Sequence, residues 1–267
     1  MKLKINDVGP ISNADIDISK INVIGGVNSS GKSTISKLLY CYFKSQNDDE
    51  SFEYLMDSEG LSEINDNNVT FEGNLSPQEV FYIDNISILD LKDLDILRVD
   101  HIIHIKEALE EPDETIESEN IAKIQNIIND DCLKTTSSGI KEIGIIVLLL
   151  KNNRLKENSF LIIDEPEASL HPEWQIKFAE ILVLLVRDLN IHIYLNSNSS
   201  MFIEAISLYA HYYDLLNETN FYLTHKTANG KFSFKKIYPK NMGEVYENLT
   251  KAYDELDKIK AKILFKG

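Results

Sequence analysis

Gly26-Val27-Asn28-Ser29-Ser30-Gly31-Lys32-Ser33 meets the pattern G-x-x-x-x-G-K-[ST] at every fixed position. It follows an apolar β-type run, Ile21-Asn22-Val23-Ile24, and leads into a helical pattern, Ile35-Ser36-Lys37-Leu38-Leu39-Tyr40. Strand, glycine loop and helix, in that order, make a phosphate-binding unit. The glycines let successive backbone N–H groups turn inward around a β-phosphate, and the helix N-terminus adds its positive end. The run and the residue after it (Gly26, Asn28, Ser29, Ser30, Gly31, Lys32, Ser33, Thr34) are the expected nucleotide-binding residues. Lys32 would reach the β- and γ-phosphates, and the Ser33 hydroxyl would hold Mg²⁺. The ligand expected from this stretch is a nucleoside triphosphate with Mg²⁺.

Two further segments bear on the same ligand. Phe160-Leu161-Ile162-Ile163-Asp164-Glu165-Pro166 is a short apolar run ending in two acids. At a strand end beside the phosphate loop, Asp164 would support Mg²⁺ directly or through water. Glu165, one residue on, is placed to polarise an attacking water. Thr136-Ser137-Ser138-Gly139-Ile140-Lys141-Glu142 precedes an apolar helix. Small hydroxyls and a glycine at a helix start suit an anion, and they equally suit an ordinary helix cap with Ser and Glu.

The chain has 267 residues, enough for one large α/β domain with a substantial core. Its longest apolar run, Ile143 to Leu150, falls well short of the ~18 residues that span a bilayer. No signal-peptide pattern precedes the first strand pattern. Cys41 and Cys132 have neither metal-ligand spacing nor a disulfide framework, so a reducing, cytoplasmic setting without a membrane is expected.

The net charge of −16 is local rather than global. Residues 44–131 hold 24 Asp and Glu against 5 Lys and Arg, a net of −19, while the rest hold 19 acidic and 22 basic residues, a net of +3. Such a segment repels nucleic acid and would steer a basic protein partner. It also fits a solvated face that only keeps the chain soluble. Residues 226–266 hold ten Lys against five acids, a weak basic patch.

Patterning predicts strands over Lys2–Val8, Ala14–Ile18 and Ile21–Ile24, then a helix to about Phe43. Ser45–Ser76 reads as loops with a short hairpin or helix, Val80–Ile83 as a strand, and 86–131 as mostly helical. Lys141–Leu150 is an apolar helix and Ser159–Ile163 a buried strand, apolar without alternation. A helix over Pro172–Asp188, a strand over Ile191–Leu195 and a helix over Phe202–Tyr209 follow. Phe221–Thr227 and Lys231–Ile237 flank Asn229-Gly230, a strong hairpin signal. Met242–Leu264 reads as one closing amphipathic helix.

The order of these motifs carries a resemblance. Phosphate loop, helical insertion, Ser-Ser-Gly helix start, then Asp164-Glu165-Pro166-Glu167-Ala168-Ser169-Leu170-His171-Pro172-Glu173-Trp174-Gln175 resembles the ATP-binding-cassette (ABC) class of ATPases. Within it, Glu165 to Pro172 is similar to the E-P-E-x-x-L-H-P string of SMC/RecF-like and OLD-type AAA ATPases, whereas transporter cassettes usually read D-E-P-T-x-x-L-D. The implied fold is an α/β P-loop NTPase of ABC ATPase type, with a mixed central sheet, N-terminal antiparallel strands and an inserted acidic helical lobe. It implies one domain over 1–267, the acidic, mostly helical lobe at 44–136, and a C-terminal hairpin and helix at 221–267. It also implies an ATP-bound, head-to-tail homodimer. Each nucleotide would lie between the phosphate loop of one copy and Ser137-Ser138-Gly139 of the other, with Ser137 and Gly139 on the γ-phosphate. Ser169, Leu170 and His171 would form the connecting loop across that interface, His171 ordering the loop rather than binding metal.

Three departures from the family pattern bear on activity. The usual N-G-S is Asn28-Ser29-Ser30, so Ser29 must take a glycine's backbone angles. The leucine that often begins the signature is Thr136. The family's T-H-S-P switch, aligned on Ser199-Ser200-Met201-Phe202-Ile203-Glu204, places Asn198 where its histidine stands. Asn can donate a hydrogen bond but cannot take up a proton. The glutamine-loop position falls on Asp84 or Asn85.

The expected function is a slow ATPase forming an ATP-sandwich dimer that senses or controls a partner effector, plausibly in bacterial antiphage defence. Catalytic roles fall to Glu165, Lys32 and Asn198, metal roles to Ser33 and Asp164, and a basic effector would dock on the acidic lobe. The alternative is an SMC/RecF-type repair or chromosome ATPase that clamps DNA, which the local charge disfavours. A transporter subunit is disfavoured by the E-P-E-A-S-L-H-P string.

Overall fold

The computed structural model describes residues 1–48, 50–84, 100–110, 138–168, 170–249 and 252–264. The chain opens with β1 (Lys2–Val8) and β2 (Ile11–Asp17), an antiparallel hairpin turned at Gly9. β3 (Ile21–Gly25) leads through the phosphate loop into α1 (Lys32–Asn47). α2 (Phe52–Ser58), β4 (Val69–Glu72), β5 (Val80–Ile83), α3 (Asp100–Glu110) and α4 (Ser138–Lys151) follow. Next come β6 (Phe160–Asp164), α5 (Pro172–Leu189), β7 (His192–Ser197) and α6 (Ser200–Tyr212). The hairpin β8 (Thr219–Lys226) and β9 (Phe232–Ile237) precedes α7 (Gly243–Leu249) and α8 (Ala252–Leu264).

One mixed sheet runs through all the described strands in the order β4-β1-β2-β9-β8-β3-β7-β6-β5. From β8 to β5 every pairing is parallel, β9 pairs antiparallel with β8 and parallel with β2, and β1 pairs antiparallel with β2 and β4. Strands buried on both faces need apolar residues on both, which is why β6 reads as an unbroken apolar run before Asp164; β3 is broken by Asn22, whose buried amide donates to the Ser19 and Ile193 carbonyls. The two-residue period then splits each strand between two cores. Val23, Leu161, Ile163 and Leu195 pack with the helices α3 to α6. Ile24, Phe160, Ile162 and Tyr194 pack with α1, α2 and the N-terminal strands.

Local chemistry fixes the helix ends that matter for the site. Pro172 stands at the first position of α5, where its missing N–H is not needed, and Asn190 closes the helix with a left-handed φ of 54°. Ser199 caps α6 by accepting the Phe202 N–H.

The predicted strands and helices of the sheet are present, with two differences. The segment 44–136 is not simply a helical insertion: β4 pairs with β1, and β5 is the outer parallel strand beside β6. The short alternation Val69-Thr70-Phe71-Glu72 suits an edge strand, but four residues are too few to stand out by pattern. The single closing helix expected over Met242–Leu264 is two helices, α7 and α8. Val245 of α7 packs into the core, whereas Leu256, Ile259 and Ile263 of α8 stay exposed, so one continuous pattern hid two different environments.

A buried imidazole ties α2 and α3 to the sheet. His101 on α3 places Nδ1 2.8 and 2.9 Å from the Glu59 carboxylate oxygens and Nε2 3.3 Å from Asp84 Oδ2. Its ring lies 4.4 Å from that of Tyr82, and Lys37 donates to the Glu59 carbonyl. Each ring nitrogen faces a carboxylate, so both donate and the ring is a cation. Burial opposes that charge, but the bonds to Asp84 and Glu59 outweigh it and raise the imidazole to about 9. A raised histidine stabilises the fold fully below about pH 6.5 and loses that contribution as pH rises through about 9. We therefore expect unfolding free energy, from urea titrations, to fall by up to about 3 kcal/mol between pH 6.5 and 9.5. His101→Gln should remove most of that pH dependence; an unchanged profile would contradict the charged assignment.

Candidate functional site

The phosphate loop follows β3 at the middle of the parallel strands. Two of its glycines are fixed by lack of space. A Cβ on Gly26 would lie 1.9 Å from Thr224 Oγ1, and one on Gly31 would lie 2.4 Å from Ile11 Cγ1. Gly31 also caps α1 with a φ of 95°. Ser29 takes a left-handed φ of 60°, which costs a non-glycine residue about 1 kcal/mol. Asn28, Ser29 and Ser33 are exposed, Thr34 is half-buried, and Ser30 is buried with no partner for its Oγ among the described residues.

Lys32 is buried at the start of α1. Its ammonium donates to the Gly26 carbonyl (2.7 Å), the Val27 carbonyl (2.9 Å) and Asn198 Oδ1 (2.8 Å). Burial lowers its pKa, and Glu165, Asp164 and Glu167 act the other way. Asn198 completes a bridge, because its amide nitrogen donates to Asn28 Oδ1 (2.6 Å) and Glu165 Oε1 (2.5 Å). The orientation of this amide is forced, since an ammonium has no acceptor to offer its nitrogen.

Sheet order makes the bridge possible. β7 lies between β3 and β6, with Ser197 opposite Gly25 and Asn196 opposite Asp164. The residue after β7 therefore stands between the phosphate loop and the acidic strand end. Asp164 is buried there, and three neighbours donate to it: Ser36 Oγ (2.6 Å), Asn196 Nδ2 (2.5 Å) and Tyr82 OH (2.9 Å). Glu165 carries a left-handed φ of 51°, an uncommon angle for a side chain of its size and typical of functional strain. Its N–H donates to the Asn196 carbonyl.

The second acid of the E-P-E string holds the switch segment. Glu167 Oε1 accepts from Ser197 Oγ (2.8 Å), the Asn198 N–H (2.7 Å) and the Ser199 N–H (3.0 Å). Its Oε2 is buried and has no partner among the described residues. Burial raises the carboxyl, against those three donors. Gln175 of α5 links the Leu170 carbonyl (3.1 Å) to Ser199 Oγ (3.0 Å), joining the connecting loop to the switch.

Ser36, Tyr82 and Asn196 belong to no motif, and nothing in the string that holds Glu167 and Gln175 assigns those two a partner. The one trace of the first group in the sequence is a polar residue inside an apolar strand, as in Val80-Phe81-Tyr82-Ile83 and Tyr194-Leu195-Asn196. Of the remaining expected residues, Ser138 and Gly139 form the first turn of α4, which carries no acid. Thr136, Ser137, Asn85, Ser169 and Cys132 lie outside the described residues, and Cys41 is buried. Asp84 at the end of β5 is bound to His101. His171 is exposed, and its carbonyl accepts from Trp174 and Gln175 as the backbone cap of α5. A pocket of about 330 Å³ lies beside Thr34, between the Asp7–Gly9 turn and residues 60–68. Among the described residues no cluster of three metal-ligating side chains occurs, and no helix is long and apolar enough to cross a membrane.

Residues 81–195, less than half of the chain, match a family model described as "AAA domain, putative AbiEii toxin, Type IV TA system". A comparison with curated proteins returns no match. Among solved structures, an SMC head bound to the C-winged helix domain of ScpA has a TM-score of 0.50 at 10% identity, covering 91% of this chain and 98% of that one. The SMC head from Thermotoga maritima gives 0.49 at 15% identity, over 88% and 98% of the two chains. A dimeric bacterial ABC transporter cassette gives 0.43 at 12%, over 76% and 90%. With a phosphate loop after β3, Asp164 at the end of β6, Glu165 just beyond it and a strand between the two, the chain has the fold of an SMC ATPase head.

Proposed function

We propose that this chain binds MgATP in the Gly26–Ser33 loop, hydrolyses it slowly, and works as a nucleotide-gated homodimer that controls a partner protein. The observation that carries this is the Asn198 bridge between Lys32, Asn28 and Glu165. It brings together the phosphate loop, the acid that would polarise water, and the residue at the family's switch position. The nucleoside would take the pocket beside Thr34.

The donor set fits Mg²⁺ arriving with the nucleotide. Ser33 presents an exposed hydroxyl at the loop, and Asp164 uses three of its roughly four acceptor positions on protein donors. That leaves Asp164 able to support the ion through water, in keeping with magnesium's reluctance to shed its hydration shell. When bound, Mg²⁺ would neutralise charge on the β- and γ-phosphate oxygens. Lys32 would exchange its loop carbonyls for phosphate oxygens. Glu165 would orient and polarise the attacking water, and Asn198 would donate to the γ-phosphate. An amide there keeps the donated hydrogen bond but cannot carry the positive charge or take up the proton that a histidine can, so it stabilises the transition state less.

A second copy would complete each site through Ser137, Ser138 and Gly139. Support comes from the exposed loop residues on one side and the acid-free first turn of α4 on the other. Control of a partner is supported by the concentration of acid in residues 44–131, which would select a basic protein. An SMC head of the same fold has been solved with a protein partner, and the family model matched over 81–195 carries a toxin–antitoxin description. Both support an effector-linked role, which we place in antiphage defence.

Turnover and mass separate the parts of this proposal. Glu165→Gln should stop phosphate release while ATP still drives dimer formation, read by light scattering after gel filtration. Asn198→His should raise kcat about tenfold or more. Fast wild-type hydrolysis together with no gain in Asn198→His would remove the slow-switch assignment.

A further inference from the structure

Among the described residues, two apolar surfaces are left uncovered, and their charges are complementary. The first is a groove of about 610 Å³ between α5 and α6. Ile176 lines it from α5, and Leu208 and Tyr212, 61% and 77% exposed, line it from α6. Large apolar side chains so exposed along one groove mark a contact surface. The groove is acidic as well. Glu180 accepts from Tyr213 OH at 2.7 Å and Glu204 from Tyr246 OH, and among the described residues no Lys or Arg pairs with either.

The second surface is α8. Leu256, Ile259 and Ile263 stand at i, i+3 and i+7, so they share one stripe, and each is at least half exposed. Lys258, Lys260 and Lys262 are exposed; at 3.6 residues per turn Lys260 and Lys262 flank the stripe on its two sides while Lys258 lies on the far face, and Lys260 pairs with Asp257. A short amphipathic helix with an aliphatic stripe and lysines beside it is the complement of an apolar groove with two carboxylates.

We propose that α8 of a second copy occupies this groove, and that the exchange is reciprocal. One chain carries both halves, so a two-fold pair covers both surfaces on both copies and leaves neither in water. The Lys260 and Lys262 ammonium groups then meet Glu180 and Glu204, whose partners among the described residues are tyrosine hydroxyls. This contact is separate from the nucleotide sandwich and needs no ATP.

The test uses full-length, nucleotide-free protein in a Cys132→Ser background. Leu208→Cys and Ile259→Cys chains carrying different tags are mixed and oxidised. A disulfide-linked product bearing both tags is expected. No mixed product, or closure within one chain of the Leu208→Cys/Ile259→Cys double variant at monomer mass, would overturn the proposal. In sedimentation, Lys260→Glu/Lys262→Glu should weaken self-association about tenfold, and adding Glu180→Lys should restore it. Wild type that stays monomeric at all concentrations, or a charge swap that fails to rescue, would also overturn it. Failure of ATP-driven dimerisation leaves these outcomes untouched, because nucleotide is absent throughout.

Discussion

A buried ammonium organises this molecule. Lys32 lies under the phosphate loop with little contact with water, and a buried cation must be matched by acceptors nearby. Two of its acceptors are carbonyls of the loop itself, which fold the loop down over it; the third is Asn198, which stands after the neighbouring strand. Through Asn198 the charge reaches Asn28 and Glu165, and through the Asn198 backbone it reaches Glu167. Three β-strand ends are thereby held in one arrangement around one charge. A triphosphate offers oxygens of the same kind, so binding replaces internal acceptors with ligand ones rather than creating a new charge pair.

The same logic explains why the acids behave differently. Asp164 is held by Ser36, Asn196 and Tyr82 and is set as a fixed anion behind the loop. Glu165, one residue later, turns through a left-handed angle toward the open side. Glu167 is spent on the switch segment and never faces the ligand side of the loop; it positions Asn198. Adjacent acids in one motif thus hold three unlike positions, decided by strand end, turn and buried pocket.

Much of this arrangement is legible in the order of residues alone. The glycine loop needs a strand before it and a helix after it, and both stand out as an apolar run and a helical period. Among the buried parallel strands, β6 announces itself by the unbroken apolar run Phe160 to Ile163. What remains hidden depends on contacts between distant elements. Neither the ring of donors around Asp164 nor the hold of Glu167 on Asn198 has a spacing rule, because each joins residues about thirty or more positions apart. The cation at His101 needs Glu59 from one side and Asp84 from the other, and no local pattern pairs them. Edge strand β4 is too short to signal, and the break between α7 and α8 is masked by an apolar pattern continuous across two environments.

Calorimetric titration of MgATP into the chain tests the central claim most directly. The account predicts saturable binding with one site per chain, and affinity reduced about a hundredfold or more in Lys32→Ala, with the variant's fold retained by circular dichroism. Saturable binding that survives unchanged in folded Lys32→Ala, or no binding by the wild type, would contradict it.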